Sequence, residues 1–159
     1  MTSIEVEDKI IKQTLSSAKT IAMIGVSSIK KEESSNLKRR PSIIVMKYLQ
    51  DFGYRVIPVN PFSTGKKIYG ETIVAKLEDI AIPVDIVDVF RPSIETPMIA
   101  KQAVEVGAKV LWLQYGIRNQ EAQKITETAN MIYISNKCIK QEYQRLFLKV
   151  SPVFPALKN

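Results

Sequence analysis

The sequence predicts an α/β fold in which a parallel sheet carries helices on both faces. Three observations lead there. Short apolar runs ending in glycine or polar residues alternate with stretches of helical period from end to end. No internal repeat or linker interrupts the alternation. The length, 159 residues with 45% apolar and 25% charged, fits one soluble domain, drawn over 1–150 with a loose tail at 151–159. Strands alternating with helices join by right-handed crossovers, so the strands run parallel.

Each element has its own warrant. Ile11, Leu15 and Ala18 recur at helical spacing and predict an N-terminal helix. Thr20 to Val26 is a continuous apolar run broken by Gly25, as in a strand buried on both faces. Residues 27–40 form a long, charged loop. Pro41 opens a helix whose apolar face is Ile44, Val45, Tyr48, Leu49 and Phe52, and Gly53 ends it. Tyr54 to Val59 is the second strand, followed by a Gly/Lys turn at Gly65-Lys66-Lys67, and Val84 to Phe90 is the third. Ile99, Ala103 and Val106 mark a helix capped by Thr96 or Ser93 and stopped at Gly107. Lys109 to Leu113 is the fourth strand, and Asn119 caps a helix bearing Ala122, Ile125 and Ala129. Met131 to Ile134 is a short fifth strand, and Ile139, Tyr143, Leu146 and Phe147 give the last helix.

Composition excludes several chemistries. Histidine is absent, which removes the usual general base near neutral pH and any phosphohistidine. A single cysteine, Cys138, allows neither an internal disulfide nor a thiolate metal cage. No apolar run is long enough to span a membrane, and the acidic N-terminus is unlike a signal peptide, so the chain reads as cytoplasmic. Lys and Arg exceed Asp and Glu by 23 to 16, a net charge of +7 that favours an anionic partner. The basic residues are spread over many elements with no aromatic–basic platform, which argues against nucleic acid.

In parallel sheets ligands bind beyond the carboxyl ends of the strands. That rule selects the loops at 27–40, 60–70, 90–96, 114–119 and 135–139. The first begins Gly25-Val26-Ser27-Ser28, with only the first glycine of a dinucleotide fingerprint. Its serines can donate to a phosphate, and Arg39 and Arg40 stand before a helix start that attracts anions; a solvated charge run is the alternative. The second loop has Asn60-Pro61 where an NAD protein places a ribose-binding acid, then Lys66 and Lys67. That suits a ribose bearing a further phosphate, as in an NADP-like ligand or coenzyme A. A merely exposed turn is the alternative.

Taken in order, Gly25-Val26-Ser27, Arg40-Pro41-Ser42, Val59-Asn60-Pro61, Gly65-Lys66, Ile68-Tyr69-Gly70, the run from Val84 to Arg91, Gly107-Ala108-Lys109 and Trp112-Leu113-Gln114-Tyr115-Gly116-Ile117 resemble the single-domain CoA-binding proteins. These are similar to the nucleotide-binding domain of the succinyl-CoA synthetase alpha subunit. The resemblance runs from about residue 18 to residue 148. It implies a Rossmann-like sheet of order 3-2-1-4-5, with CoA or an acyl-CoA across its carboxyl edge. It further implies Val26 and Ser27 at the diphosphate, assisted by Arg40 and Ser42. Pro61 and Lys66 would flank the adenine and 3′-phosphate, Phe90 and Arg91 the nucleotide, and Gln114, Gly116 and Ile117 the pantetheine. Phe90 as core packing and Gln114 as a loop-stabilising amide remain open. Where the family often has Asp-Arg-Cys, this chain has Asn136-Lys137-Cys138.

No nucleophile–base–orienter set can be assembled, and Asp85 and Asp88 point to opposite faces of their strand and read as structural. A non-catalytic CoA-binding module is therefore the expectation, with an NADP-dependent reductase or a nucleotide-binding regulatory protein as alternatives. Cys138, beside Lys137 and a helix start, is expected to favour the thiolate and to be open to a mixed disulfide with CoA; a buried, inert thiol is the alternative.

Overall fold

The computed structural model describes residues 2–26 and 41–149. The expectations placed on Ser27, on Arg40, on the rest of the 27–40 loop and on the 151–159 tail lie outside the described residues. Helix α1 (Ser3–Ser17) opens on a capping box, in which the Thr2 hydroxyl accepts from the Glu5 amide and the Glu5 carboxylate accepts from Thr2 N. It leads to β1 (Thr20–Ile24), α2 (Pro41–Asp51) and β2 (Arg55–Val59). A two-stranded antiparallel hairpin, β3 (Lys67–Ile68) and β4 (Glu71–Thr72), follows where a Gly/Lys turn was expected. Then come β5 (Ile86–Val89), α3 (Thr96–Glu105), β6 (Val110–Leu113), α4 (Gln120–Thr128), β7 (Ile132–Ile134) and α5 (Ile139–Tyr143), which runs on into a π-turn, Gln144–Leu148.

The five long strands form one parallel sheet of order β2-β1-β5-β6-β7. A single parallel bridge, Val59 to Val74, sits on the outer edge of β2. Counting the Val74 bridge as third, the order reads 3-2-1-4-5-6: the expected 3-2-1-4-5 pattern, with the strand drawn at Val84–Phe90 in fourth place and β7 added at the edge. Helices cover both faces. Ile11, Leu15, Met46, Leu49 and Ile139 pack on one side with Ile21, Met23 and Trp112. Ile99, Ala100, Ala103 and Ala122 pack on the other with Val87, Val89 and Leu113.

Two expectations are corrected. Helix α2 buries Ser42, Ile43, Val45, Met46 and Leu49; Phe52, expected on that face, is exposed and Ile44 only half-buried. Neither Thr96 nor Ser93 caps α3. A 3₁₀ turn, Ser93–Glu95, runs straight into it, and the Thr96 hydroxyl donates backward to Ser93 O at 2.7 Å. Asn119 does cap α4, its Oδ1 accepting from the Ala122 amide at 2.9 Å.

Candidate functional site

From β1 the chain turns through α2 to β2 on one side, whereas β5 continues to β6 on the other. The gap between the β1 and β5 ends is thus the point where strand order reverses, and a crevice opens there. The two loops approach so closely that only glycine fits at position 25. A Cβ on Gly25 would lie 2.5 Å from Phe90 O and 2.8 Å from Arg91 Cδ, and its φ is +93°. The resulting cavity, about 440 Å³, has Gly25, Val26, Asn60, Pro61 and Arg91 in its lining. Five of the residues singled out in the sequence are therefore brought together.

Their partners define what each can do. Asn60 ties two strand ends, donating through Nδ2 to Val26 O at 2.7 Å and accepting at Oδ1 from Phe62 N at 2.9 Å. It shapes the cavity floor while standing where an acid would otherwise be. Arg91 donates to Glu95 through Nε at 3.0 Å and Nη2 at 2.7 Å, and Glu95 holds its guanidinium more firmly protonated than usual. Among the described residues, the rest of its fork meets no other hydrogen-bond partner. In the lining Arg91 and Lys76 supply two positive charges against the one of Glu95.

Other expected residues lie elsewhere. Lys66 stands exposed beside the β3–β4 hairpin, outside the cavity lining, and Lys76 takes a place on the lining that the sequence did not reveal. Phe90 packs against the α1–α2 side of the core, the bland alternative. Ser42 is buried in the first turn of α2. Gly116 gives its amide to Asn136 Oδ1 at 2.7 Å, and Ile117 O accepts from Asn136 N at 3.0 Å, so the loops after β6 and β7 are zipped together. Phe62, 94% exposed, and Met98, 59% exposed, form an apolar rim that periodicity could not find. Phe62 follows Asn60-Pro61 directly, which is the one signal that pointed to it.

Gln114 is buried and its amide is bonded at both ends. Ile139 N donates to its Oε1 at 3.2 Å, and its Nε2 donates to Asp88 Oδ1 at 2.9 Å. Asp88 is fully buried, and burial pushes its carboxyl well above the usual carboxylate range, opposed only by the Gln114 bond. Cys138 departs from expectation in the same way. Burial is the main cause that pushes its thiol up rather than down, and Lys137 pairs with Glu7 at 3.0 Å. Among the described residues no helix is long and apolar enough to cross a membrane, and no group of acids and Cys138 is placed to hold a metal ion.

A doubly wound parallel sheet with a crevice at its switch point defines a Rossmann-like class of fold. Residues 19–144 match the CoA binding domain model, and the chain belongs to that family. It is 38% identical over 130 residues to the Bacillus subtilis (strain 168) protein YneT, covering 82% of this chain and 89% of that one. A solved Thermus thermophilus protein, cell-free ID.343, is 37% identical with a TM-score of 0.79, over 88% of this chain and 98% of its own. A hypothetical protein from Pyrococcus horikoshii OT3 is 35% identical with a TM-score of 0.77, over 87% and 91%.

Proposed function

We propose that the chain binds coenzyme A, free or acylated, across the carboxyl edge of its sheet, as a non-catalytic module in the cytoplasm. The observation that carries this reading is the switch-point crevice lined by Gly25, Val26, Asn60, Pro61 and Arg91 in a member of the CoA-binding domain family. In this reading Val26 and Ser27 meet the diphosphate, with Arg40 and Ser42 near it, and Arg91 supplies a cation. The adenine lies between Pro61 and the Phe62–Met98 rim. Lys76, on the crevice lining, faces the 3′-phosphate, while Lys66 and Lys67 stand exposed off the lining, and the pantetheine runs over Gln114, Gly116 and Ile117. A non-catalytic role is supported by the lack of histidine, which leaves no base of ordinary neutral pKa.

Thermal unfolding with CoA, NADPH, ATP and single-stranded DNA tests this. CoA at 100 times its dissociation constant adds roughly 2.7 kcal/mol, a visible shift in Tm. Native mass spectrometry of the same samples is expected to show one CoA per chain. Equal shifts from NADPH and CoA overturn the reading, as does steady-state turnover of an acyl-CoA or NAD(P)H that Arg91→Ala abolishes.

A further inference from the structure

The crevice carries a carboxylate on its wall where an anionic ligand is expected. Of the charged side chains in the lining, Arg91 and Lys76 attract a phosphate and Glu95 repels it. Glu95 is not there to fill space, since its side chain is 43% exposed and that of Arg91 44%. An ion pair so open to water also adds little to stability. What the pair does supply is geometry, because both halves stand on fixed supports. The Arg91 stem lies hard against the β1 loop, its Cδ only 2.8 Å from where a Cβ on Gly25 would be. Glu95 closes the 3₁₀ turn Ser93–Glu95, its amide donating to Pro92 O at 3.0 Å. That turn is pinned to the loop before α4: the Ser93 hydroxyl donates to Arg118 O, and Asn119 Nδ2 donates to Ser93 O at 3.0 Å. Glu95 Oε1 then accepts from Arg91 Nε at 3.0 Å and Oε2 from Nη2 at 2.7 Å. Two parallel bonds along one edge of a planar group fix its plane as well as its place. The three N–H groups left, two on Nη1 and one on Nη2, therefore point in set directions.

We propose that Glu95 is a positioning residue: it takes the Nε–Nη2 edge of Arg91 so that the Nη1–Nη2 edge is held ready for the diphosphate of CoA. The inference rests on the CoA reading above, which gives Glu95 no part. In that reading Val26 meets the diphosphate, and Val26 follows directly on the Gly25 that hems in Arg91. An unheld arginine loses the rotamer freedom of a long side chain when it clamps a phosphate, whereas Arg91 has lost it beforehand. Ordering one such side chain in advance is worth about a 2- to 12-fold gain in affinity. Against it stands the repulsion between the Glu95 carboxylate and the diphosphate, which acts at longer range and is cut by salt. The two effects have opposite signs. That makes them separable.

Calorimetry with CoA on the full chain, as wild type, Glu95→Ala, Arg91→Ala and the double variant, tests this as a double-mutant cycle. With Arg91 present and repulsion screened by 0.5 M salt, Glu95→Ala is expected to weaken CoA binding by about the 2- to 12-fold given above. Glu95→Gln, which keeps one acceptor for the guanidinium, recovers part of that loss. With Arg91 already replaced, Glu95→Ala causes no loss, and at low salt it tightens CoA because only the repulsion is removed. A Glu95→Ala variant that binds CoA as well as wild type or better at both salt concentrations overturns the proposal and leaves Glu95 a plain repulsive charge. Equal losses with and without Arg91 overturn it as well, the mark of damage to the fold or of a direct contact between Glu95 and the ligand. A wild type that binds no CoA overturns the CoA reading, and this inference with it.

Discussion

Asp88 carries a cost that can be measured. It keeps its proton in the fold at pH values where the unfolded chain has lost it, because burial favours the neutral acid. The folded state then binds more protons, so stability falls as pH rises from about 3.9, the unfolded value, towards the raised folded value. Above the folded value the loss stops growing. Asp88→Asn is neutral throughout, so its Tm should match wild type near pH 4 and exceed it by a growing margin towards neutral pH. A margin that does not change with pH would refute the assignment. Gly25 makes the opposite case, a residue fixed by space. With Phe90 O 2.5 Å from any Cβ and φ at +93°, Gly25→Ala has to push the β1 and β5 loops apart. Overpacking of this kind costs about 1–3 kcal/mol. Urea unfolding should show that loss, and calorimetry a weakening of CoA binding beyond what Gly53→Ala causes, since nothing lies within 4 Å of a Cβ at Gly53.

Among the elements, an ion pair from Arg145 ties α1 to the last described turn, beside the Lys137–Glu7 pair and the core packing of Ile11 and Leu15. Arg145, in the π-turn, donates to Asp8 of α1 at 3.0 and 2.7 Å and to Glu142 at 2.7 Å. The Asp8 side chain is 31% exposed and that of Arg145 34%, so water and salt screen much of this attraction. Arg145→Ala should cost about 1 kcal/mol, less in high salt, with faster amide exchange in α1 as its specific mark. Unchanged exchange there would mean that Ile11 and Leu15 hold the helix without it. The strands were legible because buried parallel strands read as mostly apolar runs, unbroken in Val110 to Leu113 and interrupted only by Asp85 and Asp88 in Val84 to Phe90. The face of α2 was not, since Ile43, Ile44, Val45 and Met46 are consecutive and periodicity cannot choose among them. The β3–β4 hairpin has two residues in each strand, too few for any period. The crevice itself followed from the carboxyl-edge rule, which reached Gly25, Asn60, Pro61 and Arg91. Lys76 did not follow, because its place depends on Val74 pairing with Val59, and Gln114 turned inward because Asp88 lies across the strand pair.

For the whole molecule the question is how a net charge of +7 divides between general attraction and a specific contact. Exposed lysines raise the local concentration of any polyanion and speed its arrival, an effect that salt removes. Lys66 and Lys67, exposed and off the lining, fit that role. Lys76 lines the crevice; its Nζ pairs with Glu78 at 2.8 Å, but both side chains are more than half exposed, so a ligand phosphate can compete for it. A charge-assisted hydrogen bond from Lys76 to the 3′-phosphate is worth roughly 1.5–3 kcal/mol, or about a 10- to 100-fold preference for CoA over dephospho-CoA. Lys76→Ala should erase most of that preference while leaving dephospho-CoA binding nearly unchanged. The Lys66→Ala/Lys67→Ala double variant should instead weaken both ligands alike, chiefly through slower association, and 0.5 M salt should abolish the difference from wild type. Calorimetry with both ligands at two salt concentrations separates the roles. If the double variant loses the preference and Lys76→Ala keeps it, the 3′-phosphate is held by the hairpin lysines, as the sequence first suggested.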